Sequence, residues 1–233
     1  MKRIGLLGGM SWESTVEYYR LLNTGVRERR GGLNSADVML RSVNFAELEE
    51  LFVADRWDLV GERLSAEARL LEQAGAQLLA LCTNTGHRVI DSITSSVSTP
   101  VIDIIDVAAD ALRRVDATRV LLLGTRFTMS PGFYIDRLSA AGFDVDTPEE
   151  LDAVDDIIFG ELCVGVCSDD GRRIIEDAIA AGVTRGCDAV LLACTELELL
   201  EPLDSAVPVL PTTRLHCEAI IEASLSPDAD EAE

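Results

Sequence analysis

The chain has 233 residues, of which 48% are hydrophobic, and this is enough apolar material for a packed core in one large domain or two small ones. It carries 41 acidic and 20 basic residues, so its formal net charge is −21 at pH 7, and nucleic acid is disfavoured as a partner because its phosphates would be repelled. No apolar run is long enough to cross a bilayer, and we therefore expect no membrane association.

The acidic residues are spread along the whole chain, and Lys2 is its only lysine. This pattern predicts the acidic proteome of a halophile, whose cytoplasm holds enough salt to screen the repulsion between like charges. An ordinary acidic protein encoded in GC-rich DNA is the alternative. The six cysteines are too few for a disulfide framework, and the apolar stretch after Lys2 and Arg3 is too short for an export signal, so we expect reduced thiols in a cytoplasmic protein.

Short apolar runs with the length of β-strands alternate with helical patterns along the chain. The first helix is predicted to begin near Ser14, which has capping-box spacing to Glu17, and to end at Gly31 and Gly32. The acidic tail after Ser224 is predicted to be disordered. The predicted strands are Ile4 to Gly8, Val38 to Asn44, Gln77 to Cys82, Val101 to Ile105, Arg119 to Thr125, Ala189 to Cys194 and Val207 to Leu210.

This alternation predicts an α/β fold with parallel sheets that are covered on both faces. Two segments recur at nearly equal spacing: IGLLGGMS resembles LLLGTRFTMS, and LLALCTNT resembles VLLACTEL. Either similarity alone could arise by chance between apolar strands, but the two together indicate two similar halves. The boundary between the halves is predicted near Ser98 to Pro100.

Cys82 and Cys194 each stand where a predicted strand ends, which is where open α/β sheets bind ligands. A helix start after each cysteine would favour the thiolate, and the amides of these turns would bind a carboxylate. If a pseudo-twofold axis relates the halves, the two sulfurs could act on opposite faces of one carbon. The alternative is that each is a small buried hydrophobic residue, which is the usual role of a lone cysteine in a strand. The matched context of the two cysteines favours function.

Other sequence patterns give weaker indications of a functional site. Cys163 and Cys167 could bind metal with His216 and Cys217, but no CxxC pair occurs, and we expect no metal site. The segment GLLGG lacks the spacing of a dinucleotide-binding loop, so a nicotinamide cofactor is not expected. His87 could assist proton transfer, although a histidine at a helix start more often caps the helix or faces solvent.

The segments IGLLGGMSWEST, LCTNTGH and ACTEL, together with SVNF, LLGTRFTM and IIFGELCVG, resemble the aspartate/glutamate racemase family, and in particular its aspartate racemase branch with the related broad-specificity amino-acid racemases. The resemblance runs from Met1 to Ala223. It implies a racemase without pyridoxal phosphate or any other cofactor, built from two Rossmann-like halves that are related by a pseudo-twofold axis and share an active-site cleft. It also implies a homodimer.

By this resemblance, residues 1–98 together with 212–233 form the first half, which the C-terminal helix completes, and residues 99–211 form the second. The resemblance makes Cys82 and Cys194 the catalytic pair: one thiolate removes the α-proton of an amino acid, aspartate or glutamate, and the other thiol protonates the opposite face. Glu196 is a candidate for the substrate ammonium group. The residues expected to bind the substrate are Met10, Ser11, Asn84, Thr85, Gly86, Thr125, Thr195 and Glu196.

Two positions depart from the family pattern. Gly86 stands where methionine or alanine is usual and is expected to enlarge the pocket, and Pro211 replaces an aspartate before the last helix. The glutamate racemase branch carries histidine where this chain has Glu196, which argues against a dedicated glutamate racemase. An acidic substrate also needs a cation for its side chain, and the candidates are Arg41, Arg88 and Arg126.

Four alternatives stay open. Hydantoin racemases and maleate isomerases are related enzymes with other substrates. Arylmalonate decarboxylases typically keep one of the two cysteines, so the presence of both disfavours them. A protein that binds a small dicarboxylate without catalysis would have no need of two thiols.

Overall fold

The computed structural model describes residues 1–227, which form two compact units. Of these residues, the first unit comprises Met1–Asp103 together with 216–227, and the second comprises Ile104–Leu215. Most of the acidic tail that was predicted to be disordered lies outside the described residues. Within the described part, none of the helices has the length and apolar character needed to cross a membrane.

The first unit is built on a parallel four-stranded sheet of order β2-β1-β3-β4. Leu7 of β1 pairs with Arg41 on one side and with Leu81 on the other. The residues of β1 and β3 are buried, as expected for central strands between two helical layers. The elements are β1 Ile4–Gly8, α1 Trp12–Arg30, β2 Val38–Ser42, α2 Phe45–Val53, α3 Trp57–Gln73, β3 Leu78–Leu81, the 3₁₀ helix Thr85–Val89, α4 Ile90–Thr94 and β4 Val101–Ile102.

The second unit repeats this plan with a parallel sheet of order β6-β5-β7-β8. Its last helix, α10 Thr212–Leu225, begins in the second unit and continues into the first. The remaining elements are α5 Ile104–Arg114, β5 Arg119–Gly124, α6 Arg126–Met129, α7 Phe133–Ala140, β6 Asp144–Asp146, α8 Leu151–Gly160, the 3₁₀ helix Leu162–Val164, α9 Asp169–Thr184, β7 Ala189–Ala193, the 3₁₀ helix Thr195–Leu200 and β8 Val209–Pro211.

The equal strand orders confirm the predicted α/β fold with two similar halves. Strand β5 takes the place of β1, and β7 takes the place of β3. Cys82 directly follows β3 and Cys194 directly follows β7, so the two cysteines occupy equivalent positions in the two sheets. The repeated sequence segments therefore correspond to repeated structure.

Each sheet separates two apolar clusters. In the first unit, Leu7, Leu79 and Leu81 pack on one face with α3, while Ile4 and Leu6 pack on the other face with α1 and α10. Gly8, at the end of β1, allows α1 to approach closely, because a Cβ atom there would lie 2.4 Å from Cγ2 of Thr15. This approach brings the start of α1 to the carboxyl edge of the sheet.

The predicted elements differ from the structure in several boundaries and in one missed strand. Helix α1 begins at Trp12, not near Ser14, and its N-cap is Ser11, whose Oγ accepts a hydrogen bond from the Ser14 amide at 3.2 Å. Strand β4 ends at Ile102, because Ile104 already belongs to a helix. Strand β6 was not predicted, since its three residues include two aspartates, which are uncommon in strands.

Candidate active site

The first half of the candidate site is the loop after β3. The amide of Cys82 donates to the carbonyl of Leu7 at 2.9 Å, which continues the β1–β3 ladder by one residue. The Cys82 side chain is fully buried and packs in the apolar cluster that contains Tyr18 and Ile220. This burial raises the pKa of the Cys82 thiol above its ordinary value, so the thiol form is favoured in the protein without substrate.

The residues after Cys82 turn into a short 3₁₀ helix. The Gly86 amide donates to Oγ1 of Thr83 at 3.4 Å, and the His87 amide donates to the carbonyl of Asn84 at 3.0 Å. Asn84 is 6% exposed, whereas Thr85 is partly exposed. The turn therefore holds its own backbone in place and presents Thr85 at its surface.

The loop after β1 packs against this turn. Met10 is 6% exposed and belongs to the apolar cluster beneath it. A Cβ atom added to Gly86 would lie 2.6 Å from Cγ2 of Thr83 and 3.3 Å from Sδ of Met10. The expectation that Gly86 enlarges the pocket is therefore wrong, because the space beside its Cα is already filled by these two side chains.

Ser11 has a structural role in the same loop. Its φ is 68° and its ψ is 130°, a conformation that side-chain-bearing residues adopt rarely. Besides capping α1, its Oγ donates to Oε2 of Glu13 at 3.0 Å, and its carbonyl accepts from Oγ1 of Thr15 at 3.0 Å. Met10 thus lies beside the cysteine loop, while the side-chain bonds of Ser11 hold the helix start.

Two buried histidines support the Cys82 loop. Nδ1 of His87 donates to the carbonyl of Thr83 at 2.7 Å, and its ring lies edge to face with that of His216, with 5.8 Å between centroids. Nε2 of His216 donates to the carbonyl of Ile102 at 2.9 Å, so its Nδ1 accepts from the Tyr18 hydroxyl at 2.8 Å. Burial, followed by the neighbouring His87, lowers the pKa of His216 to about 3. His216 is therefore neutral at physiological pH.

The second half of the candidate site is the loop after β7. Cys194 is 6% exposed, and its thiol donates to Oε2 of Glu196 at 3.1 Å. Burial, followed by the negative charge of Glu196, raises the pKa of the Cys194 thiol well above its ordinary value. Glu196 is itself 8% exposed and lies in position to accept the proton of this thiol.

The start of α10 holds this second loop. Oγ1 of Thr213 donates to Oγ1 of Thr195 at 3.2 Å, and the amide of Thr213 donates to Oε1 of Glu198 at 3.0 Å. Pro211 is the last residue of β8, directly before this helix. Glu198 therefore provides a carboxylate at the helix N-terminus, next to the position where Pro211 replaces the aspartate of the family pattern.

The sequence did not single out Glu198, which is 8% exposed. Its Oε2 is buried without a hydrogen-bond partner and lies 3.5 Å from Nε of Arg214. Burial raises the pKa of Glu198 to about 7, although the bonds from Thr213 and the charge of Arg214 act in the opposite direction. The visible sequence signal was a second glutamate in the segment TELELL, where it stands between two leucines.

Thr125 caps the short helix α6 directly after β5, and its Oγ1 lies 3.4 Å from Oγ1 of Thr128. The structure thus places the predicted site residues in two groups. In the first unit Met10, Asn84, Thr85 and Gly86 accompany Cys82. In the second unit Thr125, Thr195 and Glu196 accompany Cys194.

Within residues 1–227, no three His, Cys, Asp or Glu side chains are grouped so that they could hold a metal ion. The four residues that were considered as metal ligands lie in different surroundings. Cys163 packs against the apolar cluster of Cys194, Cys167 is exposed, and Cys217 is buried beside α1 in the first unit, as is His216.

The two parallel sheets have the same strand order, and a cysteine directly follows the equivalent strand in each, β3 in the first unit and β7 in the second. These features define a two-unit α/β protein with candidate catalytic cysteines. The family model of Asp/Glu/hydantoin racemases matches residues 7–220. The chain belongs to this family, which confirms the resemblance seen in the sequence, and the assignment supports an isomerase of the racemase type.

Solved structures agree with this assignment. A protein of Yersinia pestis assigned to the Asp/Glu racemases is 40% identical, with a TM-score of 0.92 over 97% of this chain and 100% of that one. An aspartate racemase homologue of Pyrococcus horikoshii OT3 is 33% identical, with a TM-score of 0.87 over 97% of this chain and 100% of that one. The aspartate racemase of Picrophilus torridus shares the fold at 23% identity, with a TM-score of 0.72 over 96% of this chain and 94% of that one.

Proposed function

We propose that this protein racemises a free α-amino acid without a cofactor, and that Cys82 and Cys194 are its acid–base pair. The observation that carries this proposal is the equivalent position of the two thiols, each directly after the strand that pairs with the first strand of its sheet. Family membership supports the reaction type. A protein that only bound a ligand would need neither thiol.

The proposed reaction is a proton transfer at one carbon. One thiolate removes the Cα proton, so that the C–H bond breaks, an S–H bond forms, and the electron pair moves into the substrate carboxylate as an enolate. The second thiol then donates its proton to the opposite face of Cα and becomes a thiolate. The two sulfurs exchange roles for the reverse direction, and no net proton is consumed.

The raised pKa values of the two thiols suit this chemistry. A thiolate that is unfavourable in its surroundings is a stronger base once it forms, and the Cα proton is a weak acid. Glu196 accepts the Cys194 proton at 3.1 Å and is therefore the proposed first base of the second unit. In the first unit, His87 orients the cysteine loop through the carbonyl of Thr83.

We propose that the substrate carboxylate is bound by Asn84, Thr85 and Gly86, with Met10, Ser11, Thr125 and Thr195 around it and Glu196 close to the ammonium group. Aspartate and glutamate are the first substrates to assay, because two of the similar structures are aspartate racemase or its homologue. Which amino acid reacts best depends on the cations available for a side-chain carboxylate.

We also propose a cytoplasmic homodimer. The resemblance to the racemases supports the dimer, and so does the exposure of three apolar side chains, Val16 and Tyr19 of α1 and the nearby Leu33. The composition, with few cysteines and a strongly acidic surface, supports the cytoplasm.

The test is exchange in deuterium oxide, in which wild-type protein should introduce deuterium at Cα and produce the other enantiomer. Cys82→Ser and Cys194→Ser should each lower racemisation by about 10³-fold, because a serine hydroxyl is too weak an acid and base to replace a thiol. Cys187→Ser is the matched control, since Cys187 is also buried and lies just before β7, at the opposite end of that strand from Cys194.

Enantiomers are followed by chiral chromatography, deuterium by mass spectrometry, and folding by circular dichroism. If folded Cys82→Ser or Cys194→Ser protein kept wild-type racemisation, the two-thiol mechanism would be wrong. If folded wild-type protein exchanged no α-proton in any amino acid, the proposed function itself would fail.

A further inference from the structure

The 3₁₀ helix Thr195–Leu200, which directly follows Cys194, has one face in contact with α10. A 3₁₀ helix has three residues per turn, so side chains three positions apart lie on the same face. Thr195, Glu198 and the next residue in this series, Glu201, all contact the first turn of α10. The loop that carries Cys194 is therefore attached to α10 along one face.

Glu198 makes the central contact on this face. Its Oε1 accepts the Thr213 amide at 3.0 Å, and its Oε2 lies 3.5 Å from Nε of Arg214. Thr213 is the second residue of α10, so its amide has no acceptor within the helix. The residue before the helix is Pro211, whose side chain offers no acceptor either. Glu198 therefore supplies, from a neighbouring loop, the acceptor that this helix start needs.

Thr213 connects Glu198 to the residue beside Cys194. Its Oγ1 donates to Oγ1 of Thr195 at 3.2 Å, and Thr195 directly follows Cys194 in the chain. The bond to Glu198 fixes the backbone of Thr213, and the hydroxyl bond of Thr213 then fixes Thr195. Two hydrogen bonds in series thus link Glu198 to the position of the Cys194 thiol.

The other contacts of this loop do not replace that link. The Leu197 amide donates to the carbonyl of Cys194 at 3.2 Å, which is the long end of the range for such bonds. The far end of the loop is attached separately, because a terminal nitrogen of Arg172 donates to the carbonyls of Leu200 and Pro202. The near end therefore depends on its side-chain contacts with α10.

We propose that Glu198 is a positioning residue for Cys194. Its acceptor oxygen fixes the start of α10, and this helix start holds Thr195 and, with it, the thiol that exchanges a proton with the substrate. Glu198 itself exchanges no proton with the substrate. The inference rests on the proposed racemisation for its role in catalysis, but the hold of Glu198 on Cys194 is measurable in the protein without substrate.

Two variants separate the acceptor from the charge. Glu198→Ala removes the acceptor, whereas Glu198→Gln keeps an amide oxygen that accepts the Thr213 amide. Glu72→Ala is the matched control, because Glu72 also accepts two backbone amides, those of Ser98 and Thr99 at 2.7 and 2.8 Å. These amides precede β4, at the opposite end of the strands from the cysteine loops.

The first measurement is the alkylation rate of each thiol by iodoacetamide in folded protein without substrate, followed by mass spectrometry of the peptides. Cys82 and Cys187 are also buried, so their rates report general loosening of the fold. We expect alkylation of Cys194 to be about tenfold faster in Glu198→Ala than in wild type, with both references unchanged, because losing this hydrogen bond favours local opening. Glu198→Gln and Glu72→Ala should behave as wild type.

The second measurement is racemisation of L-aspartate and L-glutamate, with kcat and KM determined separately. Glu198→Ala should lower kcat about tenfold, because a misplaced reacting group slows proton transfer, while Glu198→Gln should keep the wild-type kcat. Thr213→Val removes the hydroxyl that bonds to Thr195, so it should also lower kcat and speed alkylation of Cys194. The double variant Glu198→Ala/Thr213→Val should lose less than the product of the two single effects, since both act through one connection.

The outcomes separate this inference from the proposed function. If Cys194 keeps its wild-type alkylation rate in folded Glu198→Ala protein, or if Cys82 and Cys187 accelerate equally, Glu198 does not position Cys194. The inference is also overturned if Cys194 is alkylated faster with kcat unchanged, or if Glu198→Gln loses as much activity as Glu198→Ala. If folded wild-type protein racemises no amino acid while Glu198→Ala exposes Cys194 selectively, the proposed function fails and the hold of Glu198 on Cys194 stands.

Discussion

At the scale of single residues, position 86 requires glycine because of the side chains packed around it, and not because of its backbone conformation. An added Cβ would lie 2.6 Å from Cγ2 of Thr83, and this contact involves a methyl group that serine lacks. We predict that Gly86→Ala lowers the free energy of unfolding by about 1–3 kcal/mol, because an overpacked site must shift its neighbours. In a Thr83→Ser background the same change should be neutral or slightly stabilising, since alanine restricts the unfolded chain.

The measurement is urea unfolding of the two single variants and the double variant. Serine keeps the hydroxyl that accepts from the Gly86 amide, so the cycle isolates the methyl contact. An equal cost of Gly86→Ala in both backgrounds would show that the contact with Thr83 is not what restricts position 86.

At the scale of elements, residues of α10 contact the cysteine loops: Thr213 contacts the loop after β7, and His216 contacts the loop after β3. Thr213, near its start, binds Thr195 and Glu198 of the second cysteine loop. His216, one turn further on, contacts His87 of the first cysteine loop and bonds to Tyr18 and Ile102. The element therefore contributes contacts to both loops that carry the proposed catalytic thiols.

The contact of α10 with Glu198 should make stability depend on pH. The folded-state pKa of Glu198 is about 7, above the ordinary value of 4.5, so its contribution to stability is complete below pH 4.5 and is lost as pH rises to 7. We predict that Glu198→Gln and wild type are similarly stable near pH 4.5, and that the variant is more stable by about 2 kcal/mol at pH 8, because glutamine carries no charge to bury.

Chemical denaturation at a series of pH values measures this difference. Glu49→Gln is the control, because Glu49 is exposed on α2 and should leave the pH profile of wild type unchanged. A Glu198→Gln variant whose stability ran parallel to wild type from pH 4.5 to 8 would show that Glu198 does not hold a proton in the folded state.

The central strands and the cysteine positions could be predicted from the sequence, because continuous apolar runs such as LLALC are a local signal. The start of α1 could not be placed, since Ser14 has capping-box spacing to Glu17, whereas the true cap, Ser11, is followed three residues later by a serine and not by a glutamate. The partners of the candidate arginines were also beyond the sequence. Arg41 and Glu67 are 26 residues apart, and Arg126 and Asp155 are 29 apart, so only the folded chain brings them together.

At the scale of the whole molecule, negative charge exceeds positive charge by 21, and the arginines are largely engaged in ion pairs within the described chain. Because there are 41 acidic residues for 20 basic ones, the basic residues are too few to pair one to one with the carboxylates, and like charges repel one another. This repulsion opposes the compact state, and it is the physical basis for the predicted halophilic origin.

We therefore predict that KCl stabilises this protein. Raising KCl from about 0.1 M to 1 M shortens the Debye length from about 10 Å to about 3 Å, which screens repulsion over the surface. The exposed arginine pairs weaken as well, but each contributes little, so the relief of repulsion dominates. If this relief is worth about 2 kcal/mol, Tm should rise by about 4–8 °C for a chain of this size.

Calorimetry or thermal circular dichroism in a KCl series measures the shift in Tm. KCl is preferred to sulfate because sulfate stabilises folded proteins by exclusion from their surface. A Tm that stayed level or fell with KCl would favour the alternative, an ordinary acidic protein whose composition follows from GC-rich DNA.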